Sequence, residues 1–143
     1  MQIETTIVIH APPELVWDIT LDFKNWPRWA PHFISLKRED TGPFGVGSSA
    51  LILQKGLPET RWVVVDFRAG ERFSWEARVR GIRMIGTHEI RPHADGAACT
   101  LRVACTGFWA TILSPIIRPA MRSAIERENL GLKAAAESRA ARN

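Results

Sequence analysis

The chain of 143 residues is long enough for one domain with a core of its own, and it needs no staples to hold it. A composition of 45% hydrophobic and 24% charged residues, without repeats or low-complexity tracts, excludes disordered and fibrous classes. The formal charge of +4 is interspersed with Asp and Glu rather than clustered, which argues for a solvated basic surface and against a nucleic-acid binder.

Cys99 and Cys105 are the only cysteines. On one continuous strand they would stand about 20 Å apart, at ~3.3 Å per residue, too far to bridge each other. Two unpaired thiols point to a reducing compartment. Met1-Gln2-Ile3-Glu4 shows no charged region leading into an apolar one, so no signal peptide is expected. No apolar run approaches the ~20 residues of a membrane helix. These observations together predict a cytoplasmic protein with no integral membrane association.

Residues 2–10 alternate, with Ile3, Ile7 and Ile9 on one side, and predict a half-buried strand. Ala11-Pro12-Pro13 ends it and opens a helix whose face is Leu15, Val16, Ile19 and Phe23. That helix gives way near residues 22–25, and Trp26-Pro27-Arg28-Trp29 makes a short second turn that Pro31 closes. The period then changes to two. Strands are expected at 33–39, 48–55, 60–68, 72–80, 82–91 and 98–107, joined by turns rich in Gly, Pro and Asp. Such short links make successive strands antiparallel neighbours. Phe73, Trp75, Ala77 and Val79 share one face of their strand. Ile82, Met84, Gly86, His88 and Ile90 share one face of the next, and Cys99, Leu101, Val103 and Cys105 one face of the last.

A long helix over 116–141 closes the chain. Ile117, Met121, Ala124, Ile125 and Leu132 form its apolar stripe, opposite Arg118, Arg122, Arg127 and Lys133. Pro119 lies about one turn in and predicts a kink or a later true start. The polar-poor stretch 107–113 before the helix reads as part of an entrance or as burial for the helix start. The fold expected is α+β: a curved antiparallel seven-stranded sheet with the long helix across its concave face and two short helices after strand 1.

This order of elements, together with Ile9-His10-Ala11-Pro12-Pro13-Glu14-Leu15-Val16-Trp17 and Asn25-Trp26-Pro27-Arg28-Trp29-Ala30-Pro31, resembles the START-like superfamily of polyketide cyclase/dehydrase and lipid-transport proteins. Gly86-Thr87-His88-Glu89-Ile90 and Asn129-Leu130-Gly131-Leu132-Lys133 resemble a bacterial branch of it. The resemblance spans nearly the whole chain and implies the helix-grip fold, with a deep apolar cavity between sheet and helix for a hydrophobic small molecule. Its motifs specify fold far better than activity.

Chemistry concentrates on two residues. His88 belongs to an inward-facing set, where an imidazole can serve as general acid or base or orient a ligand carbonyl; a satisfied core histidine is the plainer reading. Glu89 lies on the opposite face and cannot partner it. Glu128 falls near the centre of the helix stripe, where a carboxylate is costly unless paired or wetted. The resembling branch carries an apolar residue there, so Glu128 departs from its pattern. It is expected to meet a polar ligand group or His88, or else to lie in water where the helix overhangs the sheet. Phe33, Leu51, Leu53, Trp75, Met84, Met121 and Ile125 complete the expected ligand-binding wall. No zinc-ligand spacing, Gly-rich phosphate loop or nucleophile elbow is present, and no metal or cofactor is expected. The functions to weigh are a carrier of a lipid- or polyketide-like molecule, a cyclase/dehydratase using His88, and a protein-interaction module resembling chaperone activators.

Overall fold

A computed structural model describes residues 1–142. Strand β1 (Gln2–Ile9) leads into helix α1 (Pro13–Leu21), a single 3-10 turn at Phe23–Asn25, and the four-residue helix α2 (Trp26–Trp29). Six strands follow: β2 (Phe33–Arg38), β3 (Ser49–Gln54), β4 (Thr60–Arg68), β5 (Arg72–Val79), β6 (Ile82–His93) and β7 (Gly96–Thr106). Helix α3 (Phe108–Arg142) ends the chain. All strands join one antiparallel sheet in the order β1-β7-β6-β5-β4-β3-β2, so β1 closes onto the last strand rather than onto the next. The expected α+β helix-grip architecture is the one present.

Register fixes which side chains face inward. Phe73 pairs with His88, and His88 pairs with Leu101, so these three share the concave face across β5, β6 and β7. Ile52 pairs with Leu36 and Thr60, and Ala50 with Trp62, which puts those five on the same inner side. The β5–β6 hairpin turns on two residues, Arg80 and Gly81, with φ of 50° and 79°. Both central residues thus take positive φ, the geometry whose twist matches a two-residue hairpin, although Arg80 must accept it with a full side chain. On the convex side, Arg83 with Glu76, Arg61 with Glu39, and Arg102 with Glu4 form ion pairs.

One half of the concave face is filled with aromatic rings. Phe23 stands 5.4 Å from Trp26, 5.1 Å from Phe44 and 5.4 Å from Trp75, all centroid distances. Trp17 adds a tilted contact to Phe67 and an edge contact to Phe73. The Trp26 indole donates to the Thr20 carbonyl at 3.0 Å, which satisfies its N–H inside the cluster.

Helix α3 is longer than its apolar period suggests. It begins at Phe108 rather than near 116, and it continues through Pro115 and Pro119. The stretch 107–113 is therefore mostly the first turns of the helix. Pro115 and Pro119 would normally interrupt the hydrogen-bond ladder, but the residues whose carbonyls they leave unpaired, Thr111 and Pro115, are exposed, so water can serve them.

The second half of α3 is the more firmly seated, with Ala110 the one buried residue near the helix start. In that second half Ile125, Asn129, Leu132 and Ala136 are buried. The Asn129 amide donates to the carbonyls of Thr5 and Cys99, and the Lys133 ammonium donates to the Val8 carbonyl. Glu137 accepts from the His10 backbone N–H. Gly131 lets α2 touch the helix directly: a Cβ at this position would fall inside the Trp29 carbonyl oxygen. Gly131→Ala is accordingly expected to push α3 off α2 and cost about 1–3 kcal/mol, the usual range for overpacking. Urea denaturation checks this; an unchanged midpoint would show that the two helices are not held in register by that contact.

Candidate functional site: a cavity under the first half of the long helix

Between the concave sheet and the raised half of α3 lies a cavity of about 810 Å³, within the size range of small-molecule sites. Its walls include Phe33, Ile52, Trp62, Trp75, Met84, Leu101, Met121 and Ile125, with His88 and Glu128 among them. Seven of the expected wall residues thus converge: Phe33, Trp75, Met84, His88, Met121, Ile125 and Glu128.

Leu51 and Leu53 do not. Leu51 pairs with Arg61 and Lys37 on the outer side of the sheet, and Leu53 shares its parity. The run Ala50-Leu51-Ile52-Leu53 is apolar at every position, so alternation cannot reveal which members face inward. Ile52 and Gln54 take the places expected for the two leucines.

Other wall residues escaped sequence reasoning. Trp62 stands on the inner face of β4, 5.8 Å from the Trp75 ring, and its buried indole N–H has no acceptor. The alternation Thr60, Trp62, Val64 carried that signal. His32 comes from the connection before β2, where no period applies. Burial, then Arg127 and Lys55, lowers its pKa from the ordinary value. Gly86 keeps the floor open beside the two tryptophans, because a Cβ there would stand 3.3 Å from the Trp75 indole nitrogen.

His88 sits in an aromatic cage built by the register of β5 and β6. Its ring stacks on Phe73 at 4.6 Å with 13° between planes, and Trp26 and Trp75 approach to 5.4 and 5.9 Å. Glu128 descends from α3 to face it, with His88 Nδ1 3.9 Å from Glu128 Oε1. Both residues are buried, at 6% and 7% exposure. The separation exceeds a direct hydrogen bond, yet a ligand oxygen about 2.8 Å from each atom fits the triangle they define.

Burial decides the protonation of the pair. It lowers the His88 pKa to about 3 and raises that of Glu128 to about 8, in each case because the charged form loses its hydration. Near neutral pH the site therefore presents a carboxylic acid that can donate a proton and an imidazole that can accept one. Charge separation to carboxylate and imidazolium would need no proton from outside, but the cage disfavours it. The Cys99 thiol, close to Glu128, is pushed up to about 12 by burial and then by the carboxylate, and stays a thiol. Among the described residues no cluster of three or more His, Cys, Asp or Glu side chains forms a metal site.

These shifts link to stability with opposite signs. Between pH 4.5 and about 8 the folded protein holds a proton at Glu128 that the unfolded chain has lost. Between about 3 and 6.5 it lacks a proton at His88 that the unfolded chain carries. The two effects largely offset from 4.5 to 6.5. Stability should then fall as pH rises from 6.5 toward 8, through Glu128, and fall on the acid side through His88, with His32 adding to the acid limb. Glu128→Gln is expected to flatten the alkaline limb and, with the offset gone, to extend the acid limb up to about 6.5, read as urea midpoints against pH. An alkaline limb unchanged in the variant would contradict a neutral buried carboxyl.

Known structures share this fold. The di-domain ARO/CYC StfQ from the steffimycin biosynthetic pathway superposes with a TM-score of 0.82 at 16% identity, over 98% of this chain and 51% of StfQ; the chain thus spans about half of that protein. A protein of Thermus thermophilus matches at 17% identity and TM-score 0.74, covering 96% of this chain and 98% of its own. A START superfamily protein from Mycobacterium smegmatis matches at 13% and 0.76, covering 96% and 97%. At these identities the likeness is one of fold. No curated protein matches the sequence. The family described as polyketide cyclase/dehydrase and lipid transport matches residues 1–137, and the chain belongs to that family.

Proposed function

We propose that the protein binds a hydrophobic small molecule, lipid- or polyketide-like, in the cavity between sheet and α3. The observation that carries this is an open space of about 810 Å³ with aromatic and aliphatic walls and a single acid–imidazole pair set into them. Apolar walls supply the driving force for burial, and a few placed polar groups supply orientation. The Glu128 carboxylic acid donates to a ligand oxygen and His88 accepts from a ligand hydroxyl. The unmatched Trp62 indole N–H offers a further donor, and a ligand acceptor reaching it would recover the cost of its burial. Family membership supports the ligand class without naming the molecule.

A second reading, a cyclase/dehydratase, is favoured by the facing of His88 and Glu128. Glu89 beside His88 in the sequence cannot partner it; Glu128, one of whose expected placements is against His88, faces it from 40 positions away. In a dehydration the imidazole would take the proton from the carbon next to a carbonyl. The carboxylic acid would protonate the departing hydroxyl, which leaves as water as the carbon–carbon double bond forms. Each group begins in the protonation state its task requires.

Titration with an environment-sensitive apolar dye tests the cavity. Wild type should bind, and Ala124→Trp, which places an indole into the wall, should bind at least about tenfold more weakly with its thermal midpoint kept. Equal binding by both would refute a ligand site under α3. His88→Ala separates the two readings once a ligand is in hand. A carrier shows a modest change in affinity, whereas a dehydratase loses turnover while binding persists.

A further inference from the structure

The first ten residues of α3, from Phe108 to Ile117, contain no charged side chain. One side of this segment, Leu113 and Ile117, lines the cavity. The other is left bare: Phe108 is 69% exposed, Ile112 51% and Ile116 73%, and Trp109 beside them is 51% exposed. At 100° per residue, Phe108, Ile112 and Ile116 fall within one quadrant, directly away from Ile125 and Leu132. A helix apolar on all sides is ordinarily buried on all sides. Here the outer side stands exposed.

The bare stripe is continuous with the cavity mouth. Trp109 and Ile116 are exposed and also line the cavity. The start of α3 rests on the β5–β6 turn, where a Cβ on Gly81 would meet the Trp109 ring at 3.7 Å and one on Gly107 would meet the Gly81 carbonyl oxygen at 2.9 Å. That turn presents Arg80. Lys55 and the part-exposed Leu57, in the β3–β4 connection, belong to the same lining.

The charges around this mouth are mostly basic, with Glu59 beside Pro58 the acidic exception. Arg118 and Arg122 are the only charged residues of α3 before Glu126, and Glu128 is the only acidic residue that lines the cavity. Arginines on the convex face are matched with Glu4, Glu39 and Glu76, but among the described residues Lys55, Arg80, Arg118 and Arg122 form no ion pair. An exposed apolar stripe bearing Trp and Phe, flanked by unpaired cations, has the chemistry of a segment that lies in the interface of an anionic bilayer. The helix does not cross it, since no helix among the described residues is long and apolar enough to do so.

We propose that the first turns of α3 and the β5–β6 turn dock the cavity mouth on an anionic membrane surface. Phe108, Ile112 and Ile116 enter the headgroup–acyl boundary, and Arg80, Arg118 and Arg122 meet lipid phosphates. A hydrophobic ligand would then pass between bilayer and cavity without crossing water. The surface stands independently of which reaction, if any, the cavity supports.

Vesicle flotation tests it, with phosphatidylcholine–phosphatidylglycerol vesicles against phosphatidylcholine alone, at low and high salt. The full chain should float with the anionic vesicles, and salt should weaken the association. Phe108→Ser/Ile112→Ser and, separately, Arg118→Gln/Arg122→Gln, none of them cavity-lining positions, should each bind about tenfold less. These side chains are exposed, so circular dichroism should match wild type; the charge variant tests the proposal even if the apolar one folds poorly. Failure of wild type to float, or full binding by both variants, would overturn it. So would a concentration-dependent dimer abolished by the serine variant, which would assign the stripe to a second copy of the chain. Dye binding by the same variants in solution reports on the cavity alone, so failure of docking and failure of the ligand site give different results.

Discussion

The seating of one half of α3 is the constraint from which the other features follow. Asn129 and Lys133 hold that half to the backbone of β1 and β7, and Gly131 brings it against α2. The sheet is wider than this contact. Aromatic rings from α1, α2 and the loop before β3 fill one part of the remaining concave surface, and the first half of α3 spans the rest without reaching its floor. The cavity is what a rigid helix leaves when it is fastened along its second half and rests at its start on the β5–β6 turn, over a curved sheet.

Two electrostatic regimes meet in this arrangement. On the convex face charges are exposed, paired and individually worth little. On the concave face His88 and Glu128 are cut off from water, and the cost of ionising either holds the pair neutral. A neutral carboxylic acid facing a neutral imidazole is uncommon in a core and useful in a ligand site, because it can give and take protons near neutral pH. The same seating that buries the pair also leaves the helix start uncovered. Polar chemistry lies deep in the cavity and an apolar stripe lies at its rim.

Much of this is legible in the sequence, and the reasons differ by element. Strands β5, β6 and β7 alternate cleanly, so a period of two reveals their inward sets, His88 included. Helix phase locates Glu128 as a carboxylate in an apolar stripe, and its burial beside His88 answers why it stands there. Leu51 and Leu53 face outward against expectation because a strand apolar at every position has no readable parity; the pairing of Ile52 with Thr60 settles it. The start of α3 escapes local rules because prolines at 115 and 119 count as breakers, while solvent on their side of the helix makes them tolerable. His32 and the approach of Trp62 to Trp75 depend on contacts between distant segments, which no local period encodes.

The most direct test of the central claim, a cavity that holds a hydrophobic molecule, is native mass spectrometry of the purified protein with organic extraction of whatever accompanies it. The expected result is an added mass that survives gentle ionisation, disappears on extraction and belongs to an apolar compound bearing at least one oxygen for His88 and Glu128. A protein that travels empty, and takes up no apolar compound offered to it in solution, would contradict an accessible cavity beneath α3.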